Sequence, residues 1–259
     1  ERHSNMISAY HSTGNIASVH WSLLYHTIST ANTIIDRLPV SEVSEEQKTI
    51  AEAKARFFRG FAYRTLTYLY GGVPLLLTEV IEPKFDYVRA SKEEVLRQAL
   101  TDVEFAAAHL PSLSSVQDGE VSNAAAYHLL SELYLATAQY QKAVDAATTV
   151  IDDPATGLMY TRFGSRANEL PGDVYWDLFR KNNQNRSSGN TEGIWVIQIE
   201  TDTPGGSGSL TAKDQTYTLE RHHAPMVRDV KAHGMNPFSW PIGDYTGGRG
   251  IGWAISTRY

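Results

Sequence analysis

The sequence predicts a mostly α-helical fold of tetratricopeptide-like helix pairs (an α–α superhelix), together with an irregular, loop-rich segment and little strand. Apolar residues recur every three or four positions in five stretches between residues 16 and 152, which is the spacing of amphipathic helices. Ser, Pro and Gly residues mark the ends of those stretches. After about residue 156 the periodicity fades, and Gly, Pro, Asn and Ser become frequent.

The first two helices are predicted to form an antiparallel pair. The first begins at Ile16 and ends before Pro39. A short polar linker follows, and the sequence SEEQ at 44–47 fits a capping box, in which the serine and the residue three positions later bond each other's backbone amides. Because the linker is short, the two helices are expected to pack side by side.

The second helix leads through a glycine turn into a buried segment. The stretch Ala51–Glu79 begins with an aromatic-rich apolar face and continues into Gly71-Gly72 and Pro74. Glycine can take the positive φ of a helix C-terminus, and proline cannot continue the helix. The apolar residues 73–77 are therefore expected to form a short, buried, extended run.

Three more helices are predicted between residues 91 and 152. The third has Ser91 as its N-cap and an acidic first turn, and it runs to about Leu110. The fourth spans roughly 122–138 and the fifth 141–152, and this pair has tetratricopeptide spacing. Small residues at Ser131 and Ala143 would let these two helices approach closely, while Leu130 and the neighbouring tyrosines fill the groove between them.

The remaining sequence predicts little regular structure. Only GIWVIQIE at 193–200 fits a strand. The predicted organisation is a helical scaffold over residues 1–155 and a loop-rich, ligand-side segment over residues 156–259, both in one domain. The first residues, ERHSNM, and the last, ISTRY, lead us to expect a piece of a longer protein.

Composition excludes several classes of function. The net charge of −6 provides no basic excess for nucleic acid. The chain has no cysteine, which excludes thiol catalysis, disulfides and cysteine-ligated metals. It also has no run of 18 apolar residues, so no membrane-spanning helix is expected.

Four motifs follow one another along residues 16–200. The first is a W-x-x-x-Y…I-x-x-A-N-x-I-I helix (Trp21, Tyr25, Ile28, Ala31, Asn32, Ile34, Ile35). The second is the run A-E-A…F-x-R-x-x-x-Y…Y-G-x-V-P-L (Ala51, Glu52, Ala53, Phe57, Arg59, Tyr63, Tyr70, Gly71, Val73, Pro74, Leu75). The third is a D-V-x-x-A…L-P helix (Asp102, Val103, Ala106, Leu110, Pro111), and the fourth, after the tetratricopeptide-like helix pair, is E-x-I-W (Glu192, Ile194, Trp195). In this order and spacing they resemble the SusD/RagB family of Bacteroidetes surface lipoproteins, which bind glycans or peptides.

The resemblance implies a non-catalytic protein without a cofactor. It implies binding of an oligosaccharide or other nutrient at the cell surface and handover to a SusC-like, TonB-dependent outer-membrane transporter. It also implies an outer-membrane location through a lipid anchor that lies outside this chain.

The candidate ligand residues lie mainly near the C-terminal end. Trp240, Tyr245 and Trp253 stand in a Pro/Gly-rich loop that belongs to no helix or strand face. Exposed rings can stack on the apolar C–H faces of a sugar. The nearby polar side chains could bind its hydroxyls; these are Asn236, Asp244 and Arg249. Tyr10, in the N-terminal loop, is a further candidate contact. The alternative is that the rings only hold the loop against the core. No family motif covers these residues.

Structural roles are predicted for the motif residues of the helices. Five aromatic residues lie on helical apolar stripes and are expected to be core packing: Trp21, Tyr25, Phe57, Phe58 and Phe61. Glu52 and Arg59 could be ligand groups, but a partly buried ion pair or bonds to loop carbonyls are favoured.

Two other functions remain open at this point. A tetratricopeptide scaffold could bind a peptide or protein in its concave face instead of a glycan. A hydrolase is poorly supported, because His222, His223, His233 and Asp229 fit no metal-site spacing.

Overall fold

The computed structural model describes residues 15–170, 172–198 and 233–235, and within them the chain is helical and contains no β-strand. The helices are α1 (Asn15–Arg37), α2 (Glu45–Tyr70), α3 (Lys92–His109), α4 (Asn123–Ala136), α5 (Tyr140–Ile151) and the short α6 (Val174–Leu178). Turns of 3₁₀ helix lie at Leu38–Val40, Leu113–Ser115 and Arg186–Ser188. The prediction of a mostly helical fold is confirmed.

Local capping chemistry fixes where α2 and α3 begin. The Ser44 hydroxyl accepts from the Gln47 amide at 3.3 Å, and the Gln47 side chain accepts from the Ser44 amide at 3.2 Å. Ser91 and Glu94 form the same reciprocal pair at 3.2 and 2.7 Å. Each box satisfies two amides that the first helical turn leaves without partners, so both predicted helix starts are confirmed.

The predicted glycine stop after α2 is also confirmed. Gly71 is the C-cap and takes φ +73°, a conformation that costs little only for glycine. A Cβ on Gly72 would lie 2.2 Å from the carbonyl oxygen of Ala90. The turn therefore requires glycine at its first position for conformation and at its second for space.

Consecutive helices pack against each other from α1 to α5. Phe57, Tyr63 and Leu66 of α2 are fully buried, as are Val103 of α3 and Leu133 of α4. The chain divides into two compact units, residues 1–196 and 197–259, and all six helices belong to the first. The predicted division of roles at residue 155 stays a prediction.

Two aromatic residues are more exposed than predicted. Trp21 is 36% exposed, although its ring still contacts those of Tyr25 and Tyr70 at centroid distances of 4.8 and 5.1 Å. Among the helices, α1 packs mainly against α2. Tyr140 also points to solvent and does not fill the groove between α4 and α5.

The predicted strand at 193–200 does not form over 193–198, the part of it that the structure describes. No strand lies beside it among the described residues, so its backbone has no ladder to join. The Trp195 ring instead packs on three phenylalanines of α2 at centroid distances of 5.6, 5.9 and 6.2 Å: Phe57, Phe58 and Phe61. The packing role predicted for these phenylalanines is confirmed.

Arg59 is the centre of a buried polar network. Its Nε and Nη2 donate to the two carboxylate oxygens of Asp102 at 2.8 and 2.7 Å. Its Nη1 donates to Asn32 Oδ1 at 2.7 Å and to the carbonyl oxygen of Leu77 at 3.2 Å. The predicted structural role of Arg59 is confirmed, with Asp102 as its ion-pair partner. Glu52 instead accepts from Arg56 Nε one turn later, at 2.7 Å.

Side chains of α1 and α2 hold the extended run after Gly72. The Tyr25 hydroxyl donates to the Pro74 carbonyl at 2.7 Å. The Tyr63 hydroxyl lies 2.6 Å from the Leu76 amide and 2.9 Å from its carbonyl, and burial raises the pKa of Tyr63 to about 12. Asn32 Nδ2 donates to the carbonyls of Leu76 and Thr78 at 2.9 and 3.1 Å. These side chains satisfy backbone groups of the run that a neighbouring strand would otherwise hydrogen-bond.

Part of the apolar run is less buried than predicted. Val73 is fully buried, but Leu77 is exposed at its other end. Within the described ranges, no helix has both the length and the apolar character to cross a bilayer.

We predict that Arg59→Met destabilises the protein by about 3–5 kcal/mol, because it leaves the buried Asp102 carboxylate without a partner. Arg37→Met is the matched control. Arg37 also binds a carboxylate, that of Glu79, but its side chain is 67% exposed, so the expected loss is much smaller than for Arg59. Urea unfolding of both variants measures the difference. Equal decreases in the free energy of unfolding would show that Arg59 stabilises the fold no more than a surface cation does.

Candidate functional site

A buried carboxylate organises the irregular segment that follows α5. The Asp177 side chain is fully buried and accepts from Arg162 Nε at 2.5 Å and from Arg162 Nη2 at 3.1 Å. The Phe163 amide donates to the same carboxylate at 3.2 Å. The hydrogen bonds from Arg162 lower the pKa of Asp177, although burial acts in the opposite direction. Asp177 is therefore ionised at neutral pH.

The remaining donors of Arg162 bind backbone carbonyls. Nη1 donates to the carbonyls of Glu169 and Gly172 at 3.2 and 2.8 Å, and Nη2 donates to that of Arg166 at 3.0 Å. One guanidinium thus fixes three points of the loop. This arrangement orders the loop without a helix or a strand.

Two buried asparagines continue this network. Asn183 Nδ2 donates to the carbonyls of Phe163 and Asp177 at 3.3 and 3.0 Å, and its Oδ1 accepts from the Ser165 amide at 3.1 Å. Asn190 Nδ2 donates to the Asn183 carbonyl at 3.2 Å. We call this set of hydrogen-bonded residues, Arg162, Asp177, Asn183 and Asn190, the polar hub.

The short helix α6 presents two aromatic rings to solvent above the polar hub. Asp173 caps the helix by accepting from the Trp176 amide at 2.8 Å, and Asp177 faces inward. Tyr175 and Phe179 are 70% and 71% exposed, and their ring centroids lie 5.0 Å apart at an interplanar angle of 61°. We call Tyr175 and Phe179 the aromatic pair.

The aromatic pair has the chemistry of a sugar-binding surface. The face of an aromatic ring carries negative charge density, and it attracts the weakly positive C–H groups on the apolar face of a pyranose. The polar hub holds the backbone beneath the rings, so little order would have to be gained on binding.

One cation lies beside the aromatic pair. The guanidinium carbon of Arg180 lies 3.2 Å from the centre of the Trp176 ring, an arrangement in which the cation is attracted to the face of the ring. Trp176 is itself seated tightly, because a Cβ on Gly172 would lie 2.1 Å from the Trp176 ring.

A second exposed surface lies between α2 and α3. Five of the apolar side chains exposed there lie between residues 80 and 88, with Phe85 the most exposed at 91%; we call these five the apolar loop: Val80, Ile81, Phe85, Tyr87 and Val88. A groove of about 710 Å³ runs along residues 75–86. Exposed apolar clusters of this kind mark contact surfaces.

The ligand residues proposed from sequence lie outside the described residues: Tyr10, Asn236, Trp240, Asp244, Tyr245, Arg249 and Trp253. Their assignment stays a prediction. No helix is predicted after residue 156, so the sequence does not single out the aromatic pair. Its signal was local: two aromatic residues four positions apart, preceded by an aspartate that can cap a helix.

Metal binding has no support in the described part of the chain, where no group of three or more His, Asp or Glu side chains is placed to hold an ion. Of the four residues considered from sequence, only His233 lies within the described ranges.

Comparison with known proteins identifies relatives of the chain. A family model described as SusD-like, starch-binding associating with outer membrane, matches residues 3–135, which is just over half of the 259 residues. Among curated proteins, the SusD-like protein P2 of Formosa agariphila is 29% identical over 142 residues, covering 54% of this chain and 28% of that protein.

Solved structures show the same fold. One determined with a xylogluco-oligosaccharide superposes with a TM-score of 0.60 at 24% identity, over 84% of this chain and 40% of that one. A laminarin-binding SusD-like protein superposes with a TM-score of 0.60 at 23% identity, over 80% of this chain and 43% of that one. The present chain therefore spans less than half the length of each of these relatives.

We predict that Asp177→Asn destabilises the protein at neutral pH and that the loss shrinks in acid. A carboxylate whose pKa is lowered on folding stabilises the fold above its ordinary pKa of 3.8, and this contribution is lost as the pH falls through the lowered value. Urea unfolding at pH 7 and below pH 3 measures both variants. Asp173→Asn is the control, because asparagine caps helices as well as aspartate does. A loss for Asp177→Asn that is independent of pH would contradict the ionised polar hub.

Proposed function

We propose that this chain, which belongs to the SusD/RagB family of outer-membrane-associated proteins, binds an oligosaccharide at the cell surface and hands it to a TonB-dependent transporter without cleaving it. The family description refers to starch binding. The two similar structures described above are a laminarin-binding protein and one determined with a xylogluco-oligosaccharide. The proposal extends this carbohydrate chemistry to the present chain.

The observation that carries the proposal is the aromatic pair. Tyr175 and Phe179 expose their rings on a segment that contains a fully buried, ion-paired aspartate. Rings that served only for packing would be buried, because an aromatic ring stabilises the fold mainly through the apolar surface that it removes from water. Their exposure on a rigid base favours a role in stacking against a ligand.

The sequence-based candidates are proposed separately. Trp240, Tyr245 and Trp253 are proposed as further stacking surfaces, with Asn236, Asp244 and Arg249 as hydrogen-bonding groups and Tyr10 as an additional contact. In this proposal residues 1–155 are the scaffold and residues 156–259 the ligand side. A lipid anchor outside this chain would hold the protein at the outer membrane.

Handover requires contact with the transporter, and the apolar loop is the described surface best suited to it. Its ends are fixed, because Leu77 and Thr78 are bonded to Arg59 and Asn32, while Arg89 Nη2 donates to the Tyr70 carbonyl at 2.7 Å. A loop held at both ends presents its apolar side chains with little entropy left to lose on docking.

We predict that Tyr175→Ala and Phe179→Ala each weaken binding of neutral glucans by about 5- to 30-fold, the effect of losing 1–2 kcal/mol of ring contact. Trp240→Ala and Trp253→Ala are expected to weaken it comparably. Titration calorimetry with laminarin and xyloglucan oligosaccharides measures the affinities, and the thermal midpoint should stay unchanged.

Tyr140→Ala is the matched control for glycan binding, because Tyr140 is also an exposed ring but lies on α5. Unchanged affinity in all four site variants would remove the site assignment. Binding of peptides but of no glycan would favour the tetratricopeptide-scaffold alternative.

We predict that Ile81→Ser and Phe85→Ser each weaken association with the purified transporter by about tenfold, with no change in glycan affinity or thermal midpoint. Val144→Ser is the control, because Val144 is an exposed valine on α5. Surface plasmon resonance with the transporter in detergent measures all three variants. If the loop variants bind as the unmodified chain does, the apolar loop is not the contact surface.

A further inference from the structure

The segment around the aromatic pair carries the opposite charge to the whole chain. Residues 160–190 contain five Arg and Lys residues and three Asp and Glu residues, whereas the full chain has a net charge of −6. The cations are Arg162, Arg166, Arg180, Lys181 and Arg186, and the anions are Glu169, Asp173 and Asp177. The segment itself therefore carries a net charge of +2, five cations minus three anions.

All three carboxylates of this segment already have structural partners. Asp177 binds Arg162, and Glu169 accepts from Arg166 Nε at 2.7 Å. Asp173 accepts from an amide at the start of α6. None of them neutralises Arg180, Lys181 or Arg186 through a direct ion pair between described residues.

Arg180 is oriented but lacks an acceptor within the described part of the chain. Stacking on Trp176 fixes the plane of its guanidinium, which leaves the N–H edge to make hydrogen bonds. Its Nε is buried and has no hydrogen-bond partner among the described residues, and Arg186 Nη1 is in the same state. Buried donors are nearly always paired, so the unpaired Nε marks Arg180 as a cation whose donors no described residue uses, and its Nη nitrogens are left to bind an acceptor.

The position of Arg180 relates that acceptor to the aromatic pair. On one helical turn, residues four positions apart lie side by side. Tyr175 with Phe179 and Trp176 with Arg180 therefore form two neighbouring rows along α6 and its end. A sugar stacked on the first row has its ring substituents next to the guanidinium of the second.

We propose that the oligosaccharide bound here is anionic, with a carboxylate or sulfate ester on the sugar that accepts hydrogen bonds from Arg180 while the sugar ring stacks on the aromatic pair. This inference rests on the proposed glycan-binding function. Arg180 is suited to both kinds of oxyanion, because a guanidinium presents parallel N–H donors that match two oxygens at once. Lys181, exposed beside it, adds a second positive charge near the anion.

The test compares acidic oligosaccharides with chemically matched neutral forms, using the full chain. The ligands are tetramers of galacturonate, mannuronate and guluronate, each paired with its methyl ester, and a sulfated galactan tetramer paired with its desulfated form. Calorimetry in 0.05 and 0.5 M NaCl measures the affinities. At least one acidic ligand should bind about tenfold or more tightly than its neutral form at low salt, and the preference should weaken at high salt. Tighter binding of a uronate tetramer identifies a carboxylate as the anion, and tighter binding of the sulfated galactan identifies a sulfate ester.

Arg180→Gln should remove the preference for the acidic ligand, and Arg180→Lys should retain part of it through charge alone. Arg166→Gln is the matched control: it removes the same charge from the same segment, but Arg166 already pairs with Glu169, so the preference should remain. Thermal midpoints of the variants confirm that each is folded.

Three outcomes would overturn the inference. Equal affinity for acidic and neutral forms would overturn it while leaving glycan binding intact. If the Arg180→Gln and Arg166→Gln variants lose the preference for the acidic ligand equally, the preference comes from the overall positive charge of the segment and not from Arg180. If no glycan of either kind binds, both the inference and the proposed function fail.

Discussion

The buried pair of Arg59 and Asp102 is the interaction on which the rest of the described fold depends. Moving two charges out of water is costly, and the cost is recovered only when the geometry is good and additional hydrogen bonds accompany the ion pair. Arg59 meets this condition because its Nε and both Nη nitrogens all find acceptors, on α1, on α3 and on the run after α2. A hydrophobic contact could hold α2 and α3 together, but it could not also satisfy the backbone of a run that has no strand beside it.

The irregular segment uses the same physical solution a second time. Apolar periodicity ends after α5, so the chain has no amphipathic face with which to form a core. Arg162 and Asp177 replace it with directed bonds to backbone groups, and Asn183 and Asn190 extend them. Such a framework fixes side-chain positions without covering them. That is why Tyr175 and Phe179 can be both exposed and well placed, which is what preorganised recognition requires.

Sequence reasoning succeeded where structure is set by local chemistry. The starts of α2 and α3 depend on residues three positions apart, and the stop after Tyr70 depends on the conformational range of Gly71. It could not identify Asp102 as the partner of Arg59, because that contact spans 43 residues. The prediction of a strand at 193–200 was wrong over 193–198 for a related reason, since apolar spacing cannot show whether a neighbouring strand exists.

The candidate site was the least predictable part of the chain. The helix beneath the aromatic pair has only five residues, too few for a hydrophobic period to stand out. What fixes it is a bond from Arg162 to Asp177, which no local pattern reveals. The family resemblance, by contrast, rests on residues that the structure places in packing and hydrogen-bonding roles, such as Arg59, Tyr63 and Trp195. It therefore carried information about the fold and very little about the ligand.

The position of Trp195 has a consequence for the order in which the protein is built. Helices α1 to α5 contact mainly their neighbours in sequence, so each can dock as soon as the next leaves the ribosome, and contacts of this local kind form quickly. Trp195 breaks that rule, because it returns to Phe57 from 138 positions later. The aromatic face of α2 therefore stays partly exposed during synthesis until almost 200 residues have been made. The packing of α2 is thus completed by a residue that follows all five long helices in the sequence.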